Sequence, residues 1–369
     1  MDATTPAADP SAVVRIAIAG AGLIGRAHLR RVLDAPGAAL AGIADPSPAA
    51  RDLAADLGVP WAPDVEALLS DAPRPDGLVV ATPNHLHVAG GLAAVAAGVP
   101  ALVEKPLADT AEGARRLVEA AEAAGVPLQV GHHRRHSPAA EAAREAVRSG
   151  RLGTVVAAAG LCLFRKPDRG YFEGAGAWRA RPGGGVVLIN LVHVVDDLRH
   201  LLGGEVEEVR AMASNGARGF AVEDTAVALL RFSTGALATI TASDRAAAPW
   251  SWELTSGEDR AFPRTGEAAY LVAGTRGSLA VPSGEAWSHA PTPEGAEGHW
   301  WTPIRRERAT APEGTDADPL ARQMRRFLAV ARREAEPYPS GREGLRTLEA
   351  VLAIKRAAET GGTVRPSGG

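Results

Sequence analysis

A single cysteine, Cys162, stands among 369 residues. That excludes an intrachain disulfide and any metal cluster built on cysteines. Its setting, Leu161-Cys162-Leu163-Phe164, reads as a small buried hydrophobe. No apolar run approaches twenty residues, so no transmembrane helix is expected. Charge of one sign is also lacking: 40 basic residues face 43 acidic ones, a formal net charge of −3. Neither a nucleic acid nor an anionic membrane is implied as a partner. Residues 1–11 have no basic start and no apolar core, so they are not a secretory signal, and a cytoplasmic protein is expected. What is present is apolar content of 46%, enough for a sizeable core, and a length that suits two domains.

Residues 13–45 hold the most informative pattern. The apolar run Val13-Val14-Arg15-Ile16-Ala17-Ile18-Ala19 ends in Gly20-Ala21-Gly22-Leu23-Ile24-Gly25. A helical pattern follows (Ala27, Leu29, Val32, Leu33), then a second apolar run that ends at Asp45. Strand, glycine turn, helix, strand and acid is the order a dinucleotide site requires. Gly20 permits the tight turn, Gly22 lets backbone N–H groups approach a pyrophosphate, and Gly25 lets helix and strand pack closely. The helix N-terminus, at Leu23 and Ile24, attracts the phosphate charge. Asp45 accepts from the adenosine ribose hydroxyls, and its charge repels a 2′-phosphate, so the cofactor is expected to be NAD rather than NADP.

The strand–helix rhythm continues to about residue 131. Strands are expected at 13–19, 39–44, 77–81, 100–103 and 127–130, with helices between them. This predicts a doubly wound parallel sheet of the Rossmann type, with ligands beyond the carboxyl ends of the strands. Thr82-Pro83-Asn84, His87, Glu104 and Lys105 lie at or just after those ends and are expected to line the cofactor. From 132 to 369 the pattern changes. Longer strands are expected at 154–164, 205–214, 224–232, 236–244, 251–256, 268–274 and 278–281, with one helix at 186–202 and two more near 317–334 and 342–359. This predicts an α+β domain with a large, mostly antiparallel open sheet. The stretch 282–312 is expected to be irregular.

Several polar residues fall where chemistry is expected. Lys105, after a buried strand and before Pro106, can hold a substrate oxygen and relay a proton. His193 lies on a helix preceded by Gly183-Gly184-Gly185, which would let backbone approach a ligand. Asn190, His193, Asp197 and His200 are expected to share one helix face. A histidine suits proton exchange with a hydroxyl, and Asn190 could orient it. His132 and Arg134, from His132-His133-Arg134-Arg135-His136, are expected to form a polar wall of the site, with no metal bound there. Trp178 and Arg179 are expected to contact a substrate with sugar-like faces. Trp250 and Trp252 read equally as site or as interface.

Taken in order, these motifs resemble the glucose-fructose oxidoreductase / inositol dehydrogenase / rhizopine-catabolism (Gfo/Idh/MocA) family. They are the glycine turn, Thr82-Pro83-Asn84-His85-x-His87, Glu104-Lys105-Pro106, Trp178-Arg179, the three glycines and the His193–Asp196 helix. The resemblance implies a nicotinamide-binding domain and a C-terminal domain whose open sheet forms a homodimer or homotetramer face. It implies a cis bond at Lys105–Pro106, with Lys105 and His193 as catalytic residues. Ile189 stands where many family members carry an Asp; Asn190 is the nearest polar substitute, and Asp196 is expected to balance the charge on His193. The implied activity is hydride transfer at a hydroxyl or keto carbon of a sugar, cyclitol or similar polyhydroxylated small molecule. The alternatives are net non-redox cleavage with retained NAD, and a cofactor-sensing regulator without catalysis.

Overall fold

In the computed structural model, residues 13–70, 73–289, 300–308 and 318–367 are described. The first unit begins with β1 (Val14–Ala19), α1 (Leu23–Asp34), β2 (Ala38–Ala44), α2 (Pro48–Asp56) and β3 (Trp61–Ala62). It continues with α3 (Val65–Ser70), β4 (Gly77–Val80), α4 (His87–Ala96), β5 (Ala101–Val103), α5 (Ala111–Ala124) and β6 (Leu128–Val130). The six strands lie in the order β3-β2-β1-β4-β5-β6 and every pair is parallel. Because helices cover the sheet, β4, β5 and β6 are buried along their whole length; β4 and β5 read as continuous apolar runs, and β6 carries the buried Gln129 between Leu128 and Val130. α5 shows the local logic. The Thr110 hydroxyl accepts from the N–H of Gly113, Ala114, Leu117, Val118 and Ala121 form the buried stripe, and Gly125 closes the helix in the left-handed conformation.

Residues 320–345 return to this first unit. The expected second segment, 132–369, is thus interrupted. Met324, Phe327, Leu328 and Val330 of α9 (Pro319–Ala331) pack in one core with Val14, Ile16, Ile18, Val79 and Leu102.

The second unit holds residues 133–319 and 346–369. Its elements are α6 (Pro138–Arg148), β7 (Val155–Leu163), α7 (Val192–Leu202), β8 (Val206–Ser214), β9 (Thr225–Phe232), β10 (Leu237–Ser243), α8 (Trp252–Ser256), β11 (Tyr270–Gly274), β12 (Gly277–Val281), β13 (Glu285–His289) and β14 (Ile304–Arg308). α10 (Gly341–Thr360) contributes from Arg346 onward. The strands run β14-β13-β12-β11-β7-β10-β9-β8. All neighbours are antiparallel except β7 and β10, which are parallel. β9 alternates buried and exposed positions, as a sheet with one covered face requires. Cys162 is buried in β7, and its thiol is pushed up to about 12, chiefly by burial.

Two expectations fail here. Where a strand is expected over 251–256, residues Trp252–Ser256 form α8: the Ser251 hydroxyl caps it and Gly257 ends it, local signals that outweigh the β-prone tryptophans. The stretch 282–312 contains β13 and β14, which pair antiparallel, although 290–299 and 309–312 lie outside the described residues. Among the described residues no helix is long and apolar enough to cross a membrane.

Candidate active site

The glycine turn of the first unit is built as its spacing demands. Gly20 has φ +89°, and a Cβ there would lie 2.6 Å from the Ala81 carbonyl oxygen. A Cβ on Gly25 would lie 1.8 Å from the Gly20 oxygen, so only glycine lets α1 approach β1 this closely. A Cβ on Gly22 would meet nothing within 4 Å. α1 begins with no side-chain cap and no acid in its first turn, and Leu23 at its start is 89% exposed. Such an N-terminus presents N–H groups and positive potential to an anion.

Asp45 faces this turn. Its Oδ2 accepts from the Ala21 N–H at 2.8 Å and its Oδ1 from the Ser47 N–H at 2.8 Å. Burial alone would raise its pKa, but the bonds from Ala21 and Ser47 and the charge of Arg26 hold it below the ordinary carboxylate value. Asp45 is therefore an anion with lone pairs left for hydroxyl donors. The Trp61 indole donates to its carbonyl at 2.9 Å, and the Arg51 guanidinium sits 5.6 Å from the centre of the Trp61 ring. After β4, Pro83 is exposed and Asn84 half-buried, while the buried Thr82 Oγ1 has no partner among the described residues. An orphaned hydroxyl, an open Gly22 and an uncapped helix start all fit a dinucleotide.

Behind this surface lies a second layer. Lys105 is half-buried and its bond to Pro106 is cis. His28, on the buried side of α1, donates from Nε2 to Glu104 Oε1 at 2.7 Å, and Glu104 Oε2 accepts from the Lys105 N–H at 3.1 Å. A Cβ on Gly131 would lie 2.7 Å from the Glu104 carboxyl, so the glycine makes room for it. His87 is 1% exposed, with Nδ1 at 2.8 Å from the Pro106 oxygen and Nε2 at 2.8 Å from the Thr82 oxygen. Burial lowers its pKa despite these carbonyls. Glu104 and His87 therefore brace the lysine turn from beneath, a correction to their expected place against the cofactor. Sequence reasoning missed His28; its position three residues after Gly25 on the inner helix face is the signal that marks it.

In the second unit α7 is buried on all sides, and the turn before it, Val187–Leu191, is a π-helix. Of the four polar residues expected on one face, Asn190 lies in this wider turn and the other three on α7, and Asn190, His193 and Asp197 meet different partners. His193 is buried, and its ring meets that of His133 edge-on at 5.5 Å. The Asn190 Oδ1 accepts from Lys166 Nζ at 2.5 Å. Asp197 accepts from Arg134 at 3.1 Å and from the Tyr270 hydroxyl at 2.5 Å. Burial nevertheless raises the Asp197 pKa to about 6.

Asp196 receives two bonds from Arg135, from Nε and Nη2, both 2.8 Å, and a third at 2.8 Å from the Thr347 hydroxyl. This carboxylate ties three chain segments together, where the sequence leads to the expectation that it balances the charge on His193. Arg134 is likewise internal rather than a substrate contact. It pairs with Asp197 and with Glu253, the latter at 2.6 Å, and lies 5.7 Å from the centre of the Trp252 ring. Trp252 is itself core, its indole donating to Glu258 at 2.8 Å, whereas Trp250 is 40% exposed. His132 is buried. Two of the three glycines approach protein: a Cβ on Gly184 would lie 2.2 Å from the Arg179 oxygen, and one on Gly185 would lie 2.4 Å from Glu223, whereas one on Gly183 would meet nothing within 4 Å. Trp178 and Arg179 are half-buried, and the guanidinium sits 4.4 Å from the centre of the Tyr171 ring. Among the described residues no group of three or more His, Cys, Asp or Glu is arranged to hold a metal ion.

Comparison with known proteins agrees with this geometry. Residues 14–132 match the oxidoreductase family with NAD-binding Rossmann fold, and residues 140–280 match the GFO/IDH/MocA C-terminal domain. The chain is 32% identical over 305 residues to the 1,5-anhydro-D-fructose reductase of Ensifer adhaerens, spanning 80% of this chain and 81% of that one. It is 35% identical over 229 residues to the inositol 2-dehydrogenase of Acidothermus cellulolyticus, spanning 60% and 63% of the two chains. The WlbA dehydrogenase from Bordetella pertussis, solved with NADH and UDP-GlcNAcA, superposes with a TM-score of 0.76 at 26% identity, over 95% of this chain and 98% of that one. The chain belongs to the Gfo/Idh/MocA oxidoreductase family, and its first domain is an NAD-binding Rossmann domain.

Proposed function

We propose that this protein is an NAD-dependent dehydrogenase or reductase acting at a hydroxyl or keto carbon of a polyhydroxylated small molecule. The observation that carries the reading is the cradle formed by the Gly20–Gly25 turn and the ionised Asp45. The pyrophosphate is assigned to the N–H groups at Leu23 and Ile24, the ribose hydroxyls to Asp45, and the nicotinamide side to Thr82, Pro83, Asn84 and Lys105. Arg51 is engaged with the Trp61 ring, and Asp45 disfavours a 2′-phosphate, which together support NAD over NADP. The bound nicotinamide supplies hydride transfer. Lys105 polarises the reacting oxygen through a charge-assisted hydrogen bond, and His193 takes or gives the hydroxyl proton. Asn190 orients the site, while Asp196 and Arg134 hold the scaffold.

The open face of the second sheet presents Val227, Leu229, Leu237 and Leu271, between 42% and 58% exposed. A contiguous apolar face of this kind suits a second copy of the chain. The test of function is a panel of cyclitols, aldoses, keto-sugars and sugar acids, scored by NADH absorbance with Lys105→Ala and His193→Ala beside the wild type. Each variant should lose about 10²–10⁴ in turnover while NAD affinity stays near the wild-type value. Near-normal turnover by His193→Ala would make the helix histidine structural, and tighter binding of NADPH than NADH would overturn the cofactor choice.

A further inference from the structure

Phe164-Arg165-Lys166-Pro167 follows β7 much as Glu104-Lys105-Pro106 follows β5, yet Lys166 is far more deeply placed, only 6% exposed. Its ammonium carries three donors. Its one side-chain acceptor is the neutral amide oxygen of Asn190 at 2.5 Å. The aromatic rings of Tyr171 and Phe164 lie at 4.7 and 5.4 Å from it. No carboxylate among the described residues comes within ion-pair distance. Asp244 is adjacent through the backbone, its carbonyl accepting from the Lys166 N–H at 2.8 Å. The Asp244 carboxylate is bound directly by Arg218, which also pairs with Asp168, while the Lys166 charge offsets part of the rise that burial gives the Asp244 pKa.

Arg179 repeats the situation from the other side of the sequence. Its guanidinium lies 4.4 Å from the centre of the same Tyr171 ring and donates to the Tyr171 carbonyl, with no carboxylate in ion-pair range among the described residues. Two cations thus gather on one tyrosine ring with no direct ion pair among the described residues, although the Asp244 and Glu253 carboxylates act on Lys166 from farther away. Aromatic faces offset only part of the desolvation of a buried ammonium. Asn190 holds Lys166 three residues before His193, the proposed proton-exchanging residue. Donors left over on both cations can therefore serve an anion that arrives with the substrate.

We propose that Lys166, together with Arg179, receives a carboxylate, so that the substrate is a sugar acid, an aldonate or uronate, rather than a neutral sugar or cyclitol. This rests on the oxidoreductase reading for its place in catalysis, but the binding it asserts is separable from turnover. NADH-loaded protein is titrated with D-glucuronate and D-glucose by calorimetry. In parallel, kcat/KM is measured with NAD for D-glucuronate, D-galacturonate and D-gluconate against their neutral counterparts. The acids should be favoured on the order of ten- to a hundredfold, the range of a charge-assisted hydrogen bond. Lys166→Met should bring the acid-to-neutral ratio close to one, Lys166→Gln should do the same while keeping a donor for Asn190, and Lys166→Arg should retain part of the preference. Equal binding of acid and neutral sugar by the wild type overturns the proposal, as does a preference that survives in both neutral variants. Oxidation of neutral sugars alone would leave the oxidoreductase reading standing and end this one. Lys166-dependent binding of acids without turnover of any compound would do the reverse.

Discussion

His28 on the dinucleotide helix and Glu104 beside the candidate catalytic lysine are hydrogen-bonded to each other at 2.7 Å, with both side chains buried. The same carboxylate accepts from the backbone N–H of Lys105. The helix start and the lysine turn are therefore one mechanical piece.

Replacing His28 by Ala leaves the Glu104 carboxylate buried without that donor. The loss should be about 1–3 kcal/mol, read as a shift in the urea midpoint. Glu104→Gln retains an acceptor and should cost less. An unchanged midpoint for His28→Ala would mean that water replaces the imidazole and that the pair does not brace the turn.

Asp196→Asn removes the charge from a buried carboxylate that holds Arg135 and Thr347, with Arg199 at 3.8 Å. Breaking such a pair typically costs about 3–5 kcal/mol. Equilibrium unfolding should show that loss, and activity should fall in proportion to the folded fraction. A variant of normal stability with collapsed turnover would return Asp196 to the catalytic group.

The division between what was legible and what was not follows from range along the chain. The glycine turn, Asp45 and Lys105-Pro106 lie in one strand–helix rhythm, where the spacing between a glycine, a strand end and an acid carries their meaning even when the partners, as Ala21 and Asp45, stand 24 positions apart. Arg135–Asp196 and Arg134–Glu253 join partners 61 and 119 positions apart. No local pattern separates such buried pairs from substrate contacts, so Arg134 and Asp196 read as functional. Lys166 carries a legible signal of the same kind, since Lys166-Pro167 repeats, after β7, the strand-end Lys-Pro pattern of Lys105-Pro106. α8 is not legible as a helix because five residues are too few to show a period.

Acid should weaken the fold through His200. Burial, then the charges of Arg135 and Arg144, lowers its pKa to about 3, well below the ordinary 6.5. Between those values the unfolded chain takes up a proton that the folded chain refuses, so stability is full above pH 6.5 and falls as pH drops toward 3. The slope is about 1.4 kcal/mol per pH unit inside that window. The difference between wild-type and His200→Phe urea midpoints, followed from pH 7.5 to 4.5, isolates it from carboxylates of opposite sign such as Asp197. Parallel profiles for the two proteins would show that the imidazole is not excluded from protonation.

The open sheet face offers a direct test of self-association. Leu229 and Leu271 are 58% and 50% exposed. Leu229→Glu with Leu271→Glu should convert the oligomer to monomer in light scattering, with little change in far-UV dichroism. A wild type that is already monomeric at micromolar concentration would remove this interface.

The return of α9 to the first sheet has a consequence for biosynthesis. Phe327, Met324, Leu328 and Val330 complete a core whose strands end at Val130. At about 5–20 residues per second, the ribosome needs on the order of 10–40 s to travel from β6 to the end of α9. During that interval the nascent sheet has finished its strands but lacks part of its cover. A transcript cut shortly after residue 131 would leave that surface bare permanently, so the half released alone should be recovered as aggregate or with a bound chaperone.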